Sequence, residues 1–115
     1  MIIRRSALQR IDFDGLGIFD YTSDANLRSS LATIDVPPGG RHGKAWSRKS
    51  DKYYFVTHGR VRFTVGDEVT DLAEGDFCFV RQGTVFGYDN TTAEPAGLLL
   101  VHTPAFELSA EVFVD

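Results

Sequence analysis

Apolar and polar residues follow a period of two in short runs divided by Gly, Pro and Asp clusters, which predicts many short β-strands and almost no helix. Arg60 to Val65 alternates strictly. Val61, Phe63 and Val65 share one face and Arg60, Arg62 and Thr64 the other, as expected of a strand with one buried and one wet side. Tyr53 to Thr57 is β-branched and aromatic and is broken at Gly59. Leu27 to Val36 is a further strand, with Leu31 and Thr33 on one face and Ala32, Ile34 and Val36 on the other. Pro37-Pro38-Gly39-Gly40 ends it, because the prolines remove ladder donors and the glycines permit a sharp change of direction. Gly66-Asp67 reads as a two-residue hairpin turn. Phe77 to Val80, Thr84 to Tyr88 and Leu98 to His102 are the remaining strands, the last an apolar run expected to be buried on both faces. Phe106 to Asp115 fits either a last strand or a short helix. So many strands call for closure into a barrel or sandwich that removes their edges, and the fold class is all-β.

Composition narrows the function. The 115 residues suffice for one domain, 1–115, and no more. Lys plus Arg is 12 and Asp plus Glu is 16, giving 12 − 16 = −4, which disfavours nucleic-acid binding through phosphate neutralisation. No run of about 18 apolar residues exists, so no membrane span is expected. Met1 to Arg10 lacks the apolar stretch of a signal peptide, and the single cysteine, Cys78, fits a reducing compartment, so a cytoplasmic location is expected. Cys78 is expected to pack as a small hydrophobe. Asn90-Thr91-Thr92 matches the glycosylation pattern, read here as incidental.

Several turn signals then line up. Pro38-Gly39-Gly40, Tyr54-Phe55-Val56-Thr57-His58-Gly59-Arg60-Val61, Leu72-Ala73-Glu74-Gly75-Asp76, Gly83-Thr84 with Asn90, and Val101-His102-Thr103-Pro104 together resemble the small single-domain cupins over about Leu27 to Phe106. The resemblance implies a cupin jelly-roll barrel (a double-stranded β-helix) of two antiparallel sheets, commonly a homodimer, with a ligand or metal inside. It also implies where metal ligands would stand: two histidines and a glutamate in the first motif and one histidine in the second. Counting back from Gly59, Lys52 takes the glutamate position. Ala45 and Ser47, or Trp46 and Arg48, take the histidine positions, and Phe86 takes the last. Alanine and phenylalanine cannot coordinate, and an ammonium has no lone pair, so no metal and no other cofactor is expected. A site reassembled from His102 and Asp51 would need a one-residue slip that turns the neighbouring side chains to the wrong face. His42 lies too far before Lys52 for the usual spacing, and His58 sits in a turn.

Other chemistry takes the metal's place. Arg41, Lys44, Arg48, Lys49 and Lys52 stand against Asp51 alone in residues 41–52, a local +4 that leaves −8 for the rest. In the cupin reading this segment enters the barrel mouth and draws in an anion; otherwise it is a solvated loop. An inward Lys52 needs an acid, a bound anion or a depressed pKa, unless it snorkels to the rim. Trp46, Arg48, Lys52, Tyr54, Phe86, Tyr88 and His102 are the candidate ligand-binding residues, against the alternative that the aromatics only fill the barrel. His102 with Tyr54 or Tyr88 is the candidate acid–base pair, His102 being taken as the one histidine that reaches the cavity.

Three functions follow as expectations. The first is metal-independent binding of a small anionic or aromatic molecule. The second is a metal-independent isomerase, epimerase or cyclase acting on a carbohydrate-like or carbonyl substrate; some cupins that resemble sugar-nucleotide ketoisomerases use histidine and tyrosine in this way. The third is a structural dimerisation module with a filled barrel. A homodimer is expected in each case.

Overall fold

The strict alternation at Arg60–Val65 forms a strand over those same residues, one of eleven in a computed structural model that describes residues 1–114. In chain order these are β1 (Ile11–Phe13), β2 (Leu16–Asp20), β3 (Ser30–Val36), β4 (Arg41–Ser47) and β5 (Asp51–His58). They continue with β6 (Arg60–Val65), β7 (Glu68–Ala73), β8 (Phe77–Val80), β9 (Phe86–Asp89), β10 (Ala96–Thr103) and β11 (Glu111–Phe113). Two antiparallel sheets result, ordered β1-β2-β3-β10-β5-β8 and β11-β4-β9-β6-β7. Among the described residues no helix is long and apolar enough to cross a membrane.

The inner faces carry the core. Val61 and Phe63 from one sheet meet Ile34, Val36, Tyr54, Val56 and Leu98 from the other, all buried. The last long strand departs from expectation. Leu98 and Leu100 are buried, but Leu99 and Val101 on the outer face are only half-buried, because no second layer covers that side of the sheet. The outer side chains of β5 and β8, Tyr53, Phe55 and Phe77, are likewise exposed. The corner between β5 and β6 turns on Gly59. Its φ is +74°, and a Cβ there would lie 2.6 Å from the Pro95 carbonyl oxygen.

Two regions hold strands that the alternation pattern does not announce. β1 and β2 precede the motif-bearing part of the chain, and β4 runs through the polar segment after Gly40. β4 also carries a bulge. Its pairing steps from His42↔Tyr88 to Ala45↔Phe86, three residues on one strand against two on the other. Gly87 sits opposite the extra residue, where a Cβ would approach the His42 carbonyl oxygen to 3.0 Å. The C-terminal segment is both things at once: a 3₁₀ turn over Leu108–Ala110, then β11. Asn90 is buried, and its Nδ2 donates to the carbonyls of Val36 and Glu94, at 3.1 and 2.7 Å, so the glycosylation match is not an exposed acceptor.

Candidate functional site

The barrel is not filled. A cavity of about 300 Å³ lies between the sheets, at the lower end of the size range of small-molecule sites. Its inner wall includes His42, Lys52, Tyr54, Tyr88, Leu100 and His102. Its rim includes exposed apolar residues from both ends of the chain: Ile11, Phe106, Leu108 and Phe113.

Lys52 points inward from β5 and is only 3% exposed. Its Nζ donates to Glu111 Oε1 at 2.5 Å and to His102 Nε2 at 2.7 Å, and it stands 5.3 Å from the centre of the Phe86 ring. An ammonium can only donate, so Nε2 of His102 is the acceptor and the imidazole proton is on Nδ1. Burial lowers the Lys52 pKa, opposed by the charge of Glu111 and the hydrogen bond to it. Burial, with the Lys52 charge adding to it, pushes His102 down to about 3, so this imidazole is neutral at physiological pH. A neutral histidine so placed orients the lysine and is a poor acid.

The second cluster is aromatic. Its Tyr54 and Tyr88 rings meet edge to face with centroids 5.6 Å apart, and the His42 ring lies 5.3 Å from Tyr88 and 5.1 Å from Phe86. His42 Nδ1 is 2.6 Å from the Gly43 carbonyl oxygen, which only accepts. That hydrogen bond therefore places a proton on Nδ1 and fixes the orientation of the ring beside Tyr88 and Phe86. The Tyr88 hydroxyl is buried and has no hydrogen-bond partner among the described residues. Burial raises the pKa of Tyr88 and, more than any other cause, that of Tyr54, to which Tyr88, Glu111 and Cys78 add, so both phenols keep their protons.

Set against the sequence expectations, Lys52, Tyr54, Tyr88 and His102 line the cavity together. Phe86 is buried behind them, between Lys52 and His42, rather than in the lining. Trp46 and Arg48 are corrected: neither lines the cavity. Trp46 pairs with Val112 on the strand face opposite the inward Ala45 and Ser47, and the Arg48 guanidinium lies over its ring at 5.2 Å. The basic mouth is corrected too. Of residues 41–52, only His42 and Lys52 reach the cavity; Lys49 pairs with Glu107 at 3.4 Å, and the rim is apolar. His102 is not the one cavity histidine, since the extra residue of the β4 bulge turns His42 inward as well.

Sequence reasoning missed Glu111 altogether. A buried lysine demands a buried acid, and the undecided tail offered only Glu107, Glu111 and Asp115.

The cupin metal positions do not fit a metal. Ala45 and Phe86 offer no donor atom, and the Lys52 ammonium, tied to Glu111 and His102, stands where the glutamate would. Among the described residues no three His, Cys, Asp or Glu side chains form a metal-holding group. Asp51 is elsewhere engaged, accepting from the Gln82 backbone N–H at 2.8 Å.

This architecture is a cupin barrel with a side-chain cavity in place of the metal centre. The Cupin_2 family model, a cupin domain, matches residues 32–102, and the chain belongs to that family. Among solved structures, Pac13 of Streptomyces, a nucleoside dehydratase, is 18% identical and superposes with a TM-score of 0.86 over 99% of this chain and 90% of that one. A predicted oxalate decarboxylase from Thermotoga maritima gives 0.78 at 20% identity, covering 90% of this chain and 99% of its own. TT1209 from Thermus thermophilus gives 0.76 at 28% identity, covering 91% and 98%. No curated protein matches the sequence.

Proposed function

We propose that this cupin binds a small, uncharged, hydroxyl-bearing ring compound of nucleoside size and acts on it by metal-independent proton transfer, with His42 as the general base. The observation that carries the reading is the meeting of His42, Tyr54 and Tyr88 in one cavity, with the Tyr88 hydroxyl buried and unpartnered by protein. A polar group left unsatisfied in this way is offered to a ligand. Lys52 is matched by Glu111 and Asp20 also lines the cavity, so the site holds no excess of positive charge for an anion. This favours an uncharged ligand over the anionic one expected from the basic segment.

The structural neighbour lends support of its own kind. Pac13 is a nucleoside dehydratase, and its structures with uridine include variants in which a histidine is replaced by glutamine or a tyrosine by phenylalanine. A histidine and two tyrosines are the groups that converge here. The reaction class we assign is proton removal from carbon followed by loss of water. For assembly we propose a homodimer through the exposed Tyr53, Phe55 and Phe77 face.

The test is calorimetric titration with uridine, together with a panel of hydroxylated carbonyl compounds incubated in D₂O and followed by NMR. Uridine binding is expected, and His42→Gln is expected to retain it while abolishing hydrogen exchange and dehydration across the panel. Absence of uridine binding at millimolar concentration, or exchange undiminished in His42→Gln, overturns the reading.

A further inference from the structure

Lys52 is not used by a mechanism that rests on His42 alone, yet it is the most constrained side chain of the cavity. A buried ammonium is costly, and the fold meets that cost with Glu111 from β11 and His102 from β10, two strands on different sheets. Side chains that merely fill a barrel would be apolar.

An ammonium has three donors. Two are committed, to Glu111 Oε1 and His102 Nε2, and Lys52 lines the cavity, so one donor is left for whatever occupies it. The Phe86 ring, 5.3 Å from Nζ, is within the range that favours a cation and completes a cage on the protein side.

We propose that Lys52 is an oxyanion-stabilising residue, that Glu111 and His102 are the positioning residues that aim it, and that the substrate therefore carries a carbonyl group next to the carbon from which the proton is lost. This deepens the reading above and rests on it. When His42 takes the proton, the C–H electron pair becomes the C=C bond of an enolate and the carbonyl π pair moves onto oxygen, where the Lys52 N–H meets it. The enolate then re-forms the carbonyl as the β-hydroxyl leaves, taking the proton from His42 to depart as water. Atoms and charge balance with no oxidant, reductant or cofactor. Fixed donors aimed at developing charge in a site shielded from water are among the strongest devices of this chemistry. The Lys52–Glu111 pair leaves the resting cavity without surplus positive charge, so a neutral ground state and a stabilised anionic intermediate are compatible.

The experiment uses 4-nitrophenol, whose ionised form is read directly by its visible absorbance, as a probe small enough for the cavity. Wild-type protein is expected to bind the phenolate in preference to the phenol, lowering the apparent pKa of the bound probe. Lys52→Met is expected to lose phenolate affinity by about tenfold or more, the scale of one hydrogen bond from a charged donor. The double variant Lys52→Met with Glu111→Leu, which replaces the pair by apolar groups, reads the same quantity where the single variant does not fold. Glu111→Gln removes the charge and the hydrogen bond that oppose the lowering of the Lys52 pKa by burial, and is expected to move the pH above which phenolate affinity is lost to a lower value than in wild type. A role in stability alone would move neither. Equal phenolate affinity in wild type and the double variant overturns the proposal, as does a pH limit of phenolate binding that is unchanged in Glu111→Gln. Uridine titrated against the same samples separates the two readings: uridine bound with no phenolate preference removes only the role of Lys52, whereas phenolate preference without uridine binding removes the nucleoside reading.

Discussion

The two polar clusters of the cavity are built to opposite rules. At Lys52, His102 and Glu111, donors and acceptors are matched to one another across three strands and two sheets. At Tyr88, a buried hydroxyl is offered to the cavity with no partner among the described residues, beside a histidine whose Nδ1 is tied to its neighbour's carbonyl. The first cluster spends its polar capacity within the protein and the second holds some in reserve. A matched network resists change and sets the field of the cavity, whereas an unmatched group is where a ligand gains most by arriving.

The largest effect that would break this contrast comes from Glu111→Ala. It leaves a buried ammonium without its counter-charge, and a loss of about 3–5 kcal/mol in unfolding free energy is expected from urea denaturation. A loss below about 1 kcal/mol would mean that Lys52 is not a buried member of a matched pair. Next comes pH. His102 has a pKa of about 3 in the fold against 6.5 ordinarily, so below 6.5 the unfolded chain takes up a proton that the native protein refuses. Stability is therefore expected to fall by a few kcal/mol as pH drops from about 6.5 toward 3, and His102→Gln should flatten that slope in denaturation series at stepped pH. Lys52 acts in the same sense at higher pH: its lowered pKa makes stability rise as pH climbs toward 10.5.

Tyr88→Phe sharpens the comparison from the other side. Removing an unsatisfied buried hydroxyl is expected to raise stability by about 1 kcal/mol while weakening uridine binding, an exchange of ligand affinity for stability visible in paired melting and titration curves. The smallest effect is its control. Thr33 also buries an unpartnered hydroxyl but does not line the cavity, so Thr33→Val should gain a fraction of a kcal/mol and leave binding unchanged.

The parts of this molecule that were legible in the sequence are those where one physical rule operates undisturbed. Arg60–Val65 and Phe77–Val80 appear as strands with the expected boundaries; Lys52, placed by the count back from Gly59, lines the cavity with His102 of the closing strand, and alternation from Lys52 and from Phe86 leads to Tyr54 and Tyr88 beside them. His42 was not legible because counting back from Gly59 assumes an unbroken period, and one extra residue between His42 and Ala45 reverses the parity. Trp46 and Arg48 failed for the complementary reason: given inward Ala45 and Ser47, Trp46 must face out. The apolar rim escaped notice because Ile11, Phe106, Leu108 and Phe113 lie in short edge segments too brief to show periodicity. The local +4 was real in sequence, but charge along a strand says nothing about which face it occupies.

The Lys52–Glu111 pair spans 59 positions of the chain. At roughly 5–20 residues per second, the ribosome adds Glu111 some 3–12 s after Lys52. Until then β5 carries an ammonium that the inside of the barrel cannot accept without great cost. Burial of Lys52 therefore has no opposite charge to match it until the segment that also builds the cavity rim has been made.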